Sequence, residues 1–267
     1  MVNFAPHAPH GLVDEPITAI LQGAAPNQPL SVEISTNDHE QRRWSRTLEV
    51  HADSSGRIDL TQASQADDGL GYDPHGLVHQ LTPDEPARWT NQISFTLHPL
   101  TILINVRDPA TGAPLASTEF VRTFTTADVI RHEWRTNTTT ANLYKPTHIR
   151  NSRAVIVLPG AWGGFDWCNQ IAALIASRGR PALALPYFDW RAEYGLPKAI
   201  EHIPLEYAQD AARRLHNESG IDPKGTSVIG MSKGAEFALA WASHDSSVNE
   251  LIALSPTLYT WESVREN

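Results

Sequence analysis

Gly230-Met231-Ser232-Lys233-Gly234 decides how this chain is read. The apolar run Ser227-Val228-Ile229 leads into it, and Ala235-Glu236-Phe237-Ala238-Leu239-Ala240-Trp241 follows. A β-like run, a glycine-flanked turn with serine at its apex and a helix-forming run together spell a nucleophile elbow, the strand–turn–helix of the α/β-hydrolase fold. Glycine is needed on both sides because the serine backbone is strained and strand and helix pass close together. Such a turn lifts the hydroxyl clear of the sheet and aims a helix N-terminus at a developing oxyanion. The competing reading is a Gly-rich strand-to-helix turn that carries no nucleophile.

The residues upstream fit the same fold. Val155-Ile156-Val157-Leu158 is a continuous apolar run, as expected of a parallel strand buried on both faces. Pro159-Gly160-Ala161-Trp162-Gly163-Gly164 follows it, and Trp167 to Ser177 shows helical spacing through Ile171, Leu174 and Ile175. Pro181 to Pro186 reads as the next strand, Pro204 to Leu215 as a helix, and Leu251 to Leu254 as a last strand. Strands alternating with helices predict a mostly parallel sheet with helices on both faces. Residues 127–267 are therefore expected to form an α/β-hydrolase domain, incomplete because its C-terminal strands are lacking.

Residues 1–126 have a different grammar. Ile17 to Leu21, Leu30 to Ile34, Trp44 to Val50, Asn91 to Leu97, Thr101 to Arg107 and Thr118 to Phe124 are short segments with partial alternation. Gly23, Pro26-Asn27, Asn37-Asp38, Asp53-Ser54-Ser55-Gly56 and Asp108-Pro109-Ala110-Thr111-Gly112 punctuate them. About seven short strands at this spacing predict an all-β, immunoglobulin-like sandwich without the cysteine pair of antibody domains. The linker is placed near Thr125 to Asp128.

Composition narrows the chemistry. With 41% hydrophobic and 19% charged residues, the 267-residue chain can bury two cores. A net charge of −9 argues against a nucleic-acid or anionic-membrane partner, which would call for Lys/Arg clusters. The single cysteine, Cys168, rules out an internal disulfide and, with no secretory leader visible, points to a cytoplasmic location. No apolar run approaches the ~20 residues of a membrane span. Twelve histidines fall in no metal-ligand spacing, so neither metal nor cofactor is expected.

Serine attack on an acyl carbonyl needs a base and two N–H donors for the oxyanion. The backbone N–H of Lys233, after the serine, is one expected donor. Ala161 in the loop after the earlier strand is the other, with Trp162 as its alternate; a tight strand-to-helix turn is the competing reading of that loop. Lys233 reads as a solvated helix-start lysine, and Glu236 as a buried or helix-end partner. The base is missing from the pattern, in which Asp or Glu and then His follow the serine. Only His244 follows Ser232, and twelve residues along a helix place it about 18 Å away. Asp245, Glu250, Glu262 and Glu266 are poorly placed to orient a histidine, and position alone gives no warrant for His202.

At these residues the chain resembles the type I acyl-CoA thioesterases and bile acid-CoA:amino acid N-acyltransferases. Asp14-Glu15-Pro16-Ile17 with Gly23 to Pro29 is similar to the opening of that family's N-terminal domain, and Gly71-Tyr72-Asp73-Pro74-His75-Gly76-Leu77 to its G-x-x-P-x-G-L segment. Leu196-Pro197-Lys198 and Leu205-Glu206-Tyr207 resemble a pair of motifs ahead of the elbow, and Gly230 to Glu236 is similar to G-x-S-K-G-x-E. The resemblance implies fatty-acid metabolism: hydrolysis of an acyl-CoA thioester to free acid and CoA through an acyl-serine. Serine at the nucleophile position favours the hydrolase branch over the amine-conjugating one. Family members run well past the point where this chain ends, and their Asp and His lie there, so no triad Asp or His is assigned to any residue here. The expectation is a C-terminally truncated member with little activity. The alternatives are a carboxylic-ester or dienelactone-type serine hydrolase, or a non-catalytic remnant that binds acyl-CoA or a partner.

Overall fold

The computed structural model describes residues 1–63, 72–85 and 96–257. Its contacts separate two units, Met1–Phe124 and Thr125–Asn267. In the first lie strands β1 (Asn3–Phe4), β2 (His10–Leu12), β3 (Ile20–Gln22), β4 (Pro29–Asn37), β5 (Arg43–His51) and β6 (Ile58–Asp59), with period-two patterning in the long pair β4 and β5. Two one-turn helices, α1 (Leu60–Ala63) and α2 (Gly76–His79), precede β7 (Thr82–Pro83), β8 (Leu100–Arg107) and β9 (Pro114–Thr123). One sheet has the order β1-β3-β6 and the other β2-β9-β8-β4-β5-β7. All pairs are antiparallel except β2 with β9.

The inward residues of β4, Leu30, Val32 and Ile34, face Val50, Leu48, Val106 and Ile104 across the ladders. Leu21 and Ile58 of the small sheet share the same apolar core, which also holds Trp44, so the two sheets pack as layers. The Trp44 indole donates to Asp38 at 3.0 Å, and Arg42 and the main-chain N–H groups of Glu40 and Arg42 donate to the same carboxylate. Burial pushes the Asp38 pKa up, but these hydrogen bonds outweigh it and hold the carboxyl below its ordinary value.

The expected strands at Leu30, Trp44, Thr101 and Thr118 correspond to β4, β5, β8 and β9, each longer than its apolar signal. The segment from Ile17 forms a strand only at Ile20–Gln22; Ile17 and Ala19 are buried outside any ladder, so their apolarity reports packing. The strand expected from Asn91 lies, through residue 95, outside the described residues, and Thr96 and Leu97 are not in a strand.

The second unit contains β10 (Val129–Arg135), β11 (Thr140–Pro146), β12 (Val155–Leu158), α3 (Asp166–Ser177), β13 (Ala182–Ala184), α4 (Leu205–His216), β14 (Thr226–Met231), α5 (Lys233–His244) and β15 (Val248–Leu254). Their sheet has the order β10-β11-β13-β12-β14-β15. The pairs β10–β11 and β11–β13 are antiparallel, and β13, β12, β14 and β15 run parallel. All four residues of β12 are buried, as a strand between two parallel neighbours requires.

From β12 the chain passes through α3 to β13 on one side, then returns past β12 through α4 to β14 on the other. Right-handed crossovers in opposite directions put α3 on one face and α4 and α5 on the other. In keeping with this, α4 and α5 contribute Ala208, Ala211, Ala212, Leu215, Ala238 and Trp241 to one core, while α3 buries Cys168, Ala172, Ala173 and Ala176 outside it. The reversal between β12 and β14 is a topological switch point, where open α/β sheets form a crevice beyond the strands' carboxyl ends. The β10–β11 hairpin was not legible in the sequence. As an edge strand β10 buries only Trp134, and β11 buries Thr140 and Asn142 among its apolar residues, so neither shows alternation.

Candidate active site

The elbow is built as its glycines require. Ser232 joins β14 to α5 with φ 51° and ψ −116°, outside the regions that suit a side-chain-bearing residue. A β-carbon at Gly230 would lie 2.4 Å from the carbonyl oxygen of Gly234 and 2.7 Å from the nitrogen of Ala235. One at Gly234 would lie 2.4 Å from the oxygen of Pro159 and 2.6 Å from that of Leu158. Gly230 therefore lets the chain double back on itself, and Gly234 lets α5 rest on the end of β12. The Ser232 carbonyl accepts from Ala235 and Glu236, opening the helix, while its own N–H donates to the Leu254 oxygen at 2.8 Å. The side chain is exposed at the head of the helix.

The loop after β12 meets this turn. A β-carbon at Gly160 would lie 3.1 Å from the Met231 oxygen and 3.4 Å from Ser232 Cβ, so Gly160 and Ser232 are neighbours across the switch point. Gly163 donates to the Gly160 oxygen at 3.0 Å, closing a turn around Ala161 and Trp162. Both residues are exposed, and the Ala161 N–H donates to no described group. The structure thus brings together Ser232, Lys233, Gly230, Gly234 and the Ala161–Trp162 loop.

One local expectation changes. Lys233 is not a solvated lysine: its side chain is 14% exposed and its ammonium donates to Glu236 Oε2 at 2.9 Å. Glu236 is buried, and its other oxygen accepts from the Thr257 hydroxyl at 2.6 Å, tying the segment after β15 to the first turn of α5. Tyr207, from a motif noted for resemblance, bolts α4 to the sheet by donating to the oxygens of Thr140 and Pro186.

Five of the twelve histidines belong to this unit, and none hydrogen-bonds to Ser232. His244 sits in the last turn of α5 against the Ala240 oxygen, and His202 is exposed at φ 51°. Asp245 is engaged by Trp241 and Ser247, and Glu250 by Ser227, Arg153 and Arg180. Glu262 and Glu266 lie outside the described residues. Cys168 is a free thiol, fully buried, its pKa driven far up by burial. Among the described residues no His, Cys, Asp and Glu cluster could hold a metal ion, and no helix is long and apolar enough to cross a membrane.

Trp190 and Arg191 were missed by sequence reasoning. The Trp190 indole donates to the Trp162 oxygen at 2.9 Å, with the Arg191 guanidinium 5.6 Å from the ring centre. Arg191 is itself held by Asp166 at 2.9 Å and by the buried Asp189 at 3.5 Å. Irregular backbone gives no periodicity to find them by; the available signal was a Trp-Arg pair just past a strand.

Residues 14–136 match the family described as acyl-CoA thioester hydrolase/BAAT N-terminal region. The chain is similar to acyl-coenzyme A thioesterase 2, mitochondrial, of Homo sapiens, at 28% identity over 91% of this chain and 50% of that protein. It is also similar to acyl-coenzyme A thioesterase 5 of Mus musculus, at 28% identity over 92% of this chain and 58% of that protein. The chain spans about half the length of the curated relatives it matches. A solved structure of a putative dienelactone hydrolase from Klebsiella pneumoniae aligns with 49% of this chain and 61% of its own at TM-score 0.42 and 16% identity, too slight a likeness to carry weight beside the strand order.

Proposed function

We propose that the chain, whose residues 14–136 match the acyl-CoA thioester hydrolase/BAAT N-terminal region, is a member of that family and carries the nucleophile and oxyanion hole of an acyl-CoA thioesterase. Ser232 attacks the thioester carbonyl. The oxyanion accepts from the main-chain N–H groups of Lys233 and Ala161, with Trp162 as the alternate to Ala161. Collapse breaks the C–S bond, so that CoA leaves as the thiol with the serine proton and the acyl group stays on Ser232. Water then releases the free acid. Residues 127–267 serve as the α/β-hydrolase domain. Residues 1–126 serve as an immunoglobulin-like sandwich, a reading supported by the layered, mostly antiparallel sheets. The single unbridged cysteine supports a cytoplasmic location.

One observation carries the proposal: the loop with the free Ala161 N–H abuts the strained turn of Ser232 at the switch point. The test is release of CoA thiol from a long-chain acyl-CoA by the purified chain and by Ser232→Ala. With no histidine on the serine, the expected release is slow but Ser232-dependent, since a site without its base keeps only roughly 10³–10⁴-fold over water. Release undiminished in Ser232→Ala would overturn the assignment.

A further inference from the structure

The loop that offers the second oxyanion donor has little conformational preference of its own. Gly163 and Gly164 both lie at positive φ, +64° and +57°, where glycine leaves the neighbouring peptide units free to turn over at low cost. Three of the hydrogen bonds that hold the loop fix its Trp162–Gly164 peptides. Gly163 donates to the Gly160 oxygen at 3.0 Å, Gly164 to the Phe188 oxygen at 2.9 Å, and the Trp190 indole to the Trp162 oxygen at 2.9 Å. The third differs from the others in coming from a side chain that is 46% exposed, so burial does not fix it. It is steadied instead by Arg191, whose guanidinium stands by the ring and is anchored to Asp166 and Asp189.

We infer that Trp190 is a positioning residue, a latch that holds the Trp162 carbonyl away from Ser232 so that the Ala161 side of the loop presents only N–H to an oxyanion. Turned over, the Trp162–Gly163 peptide would lose its bonds to Trp190 and Gly160. A carbonyl oxygen pointed at the same place would repel the charge that the N–H groups stabilise. This inference rests on the reading of Ser232 and Ala161 proposed above.

The test compares wild type with Trp190→Phe, which keeps an aromatic ring for Arg191 but has no donor. Amide hydrogen exchange of Gly163 and Gly164, followed by NMR, reads the loop without any chemistry at Ser232. The expected result is exchange about fivefold faster, the effect of losing one ordinary hydrogen bond. A second readout is phosphonylation of Ser232 by an alkyl p-nitrophenyl phosphonate, followed by mass spectrometry with Ser232→Ala as the blank. Its maximal rate constant is expected to fall about fivefold with the reagent's half-saturating concentration unchanged. A general loosening of the fold would move both parameters. Exchange that stays within twofold of wild type overturns the latch whatever the phosphonate does, and faster exchange with undiminished phosphonylation overturns its catalytic purpose. No adduct on wild-type Ser232 defeats the reading of Ser232 itself, and with it the purpose assigned to the latch, even where exchange rises.

Discussion

Gly234→Ala sets two effects of opposite sign against each other at the second residue of α5. In an exposed helix interior, alanine is favoured over glycine by about 0.8–1.0 kcal/mol. Here the added methyl would lie 2.4 Å from the Pro159 oxygen, 2.6 Å from the Leu158 oxygen and 3.0 Å from the Leu158 carbonyl carbon. All three are main-chain atoms at the end of β12, so no side chain can swing aside. Ordinary contact begins near 3.4 Å, so helix and strand must part by about 1 Å (3.4 − 2.4). Overpacking of this kind costs typically 1–3 kcal/mol, and three simultaneous backbone contacts put it near 3. Subtracting the helix gain leaves a net loss of about 2 kcal/mol.

In a unit of 143 residues (267 − 124), about 1 kcal/mol moves the melting temperature by roughly 4 °C. Gly234→Ala is therefore expected to lower it by about 8 °C in a calorimetric scan. The same separation moves Gly160 away from Ser232. A misplacement of about 1 Å costs on the order of 10²-fold in rate, so Ser232-dependent thiol release should fall by about that factor. A variant that melts at or above wild type would refute the reasoning, because helix propensity would then have won and the close approach of α5 to β12 could not be real.

The first unit and the buried thiol give two further predictions. Asp38, held below its ordinary 3.8 by hydrogen bonds that outweigh its burial, contributes stability that is present above that pH and lost as pH falls through its lower folded value. The stability difference between wild type and Asp38→Asn should accordingly shrink as pH is lowered from about 4 toward 2 in urea titrations; a constant difference would show that the carboxylate charge contributes nothing. Cys168, fully buried with its pKa raised by burial, should react with an aromatic disulfide reagent only as fast as the protein opens; prompt stoichiometric labelling of the native chain would contradict its placement.

How far the fold could be read depended on whether a segment's environment leaves a periodic trace. Four consecutive buried residues mark β12, and alternation marks β4, β5, β8 and β9. The small sheet β1-β3-β6 is made of two- and three-residue ladders, too short to show any period. Edge strand β10 is mostly solvated, so nothing requires its residues to be apolar. At the site, the elbow was legible because its geometric demands fall within five consecutive residues. The Ala161 loop followed from chain order. Trp190 was hidden because its contact with Trp162 spans 28 residues of sequence and rests on a side-chain donor in irregular backbone.

The Lys233-Gly234-Ala235-Glu236 continuation shows why local reading fell short there too. Spacing i to i+3 is enough to pair Lys233 with Glu236, but not to bury them or to bring the Thr257 hydroxyl, arriving from beyond β15, onto the second Glu236 oxygen. A buried ion pair is weak grounds for added stability, because desolvation offsets its attraction. Its geometric effect is clearer. The Leu254 oxygen holds the Ser232 N–H while Thr257 holds Glu236 one turn into the helix, so the exit of β15 grips the elbow at two points. A serine at φ 51° and ψ −116° costs of order 1–3 kcal/mol, and such strain persists only where its surroundings over-determine it. A plain strand-to-helix turn could relax by placing glycine at the apex. That this turn instead strains a serine, held by one anchor from the end of β15 and one from the segment after it, is the physical ground for preferring a nucleophile there.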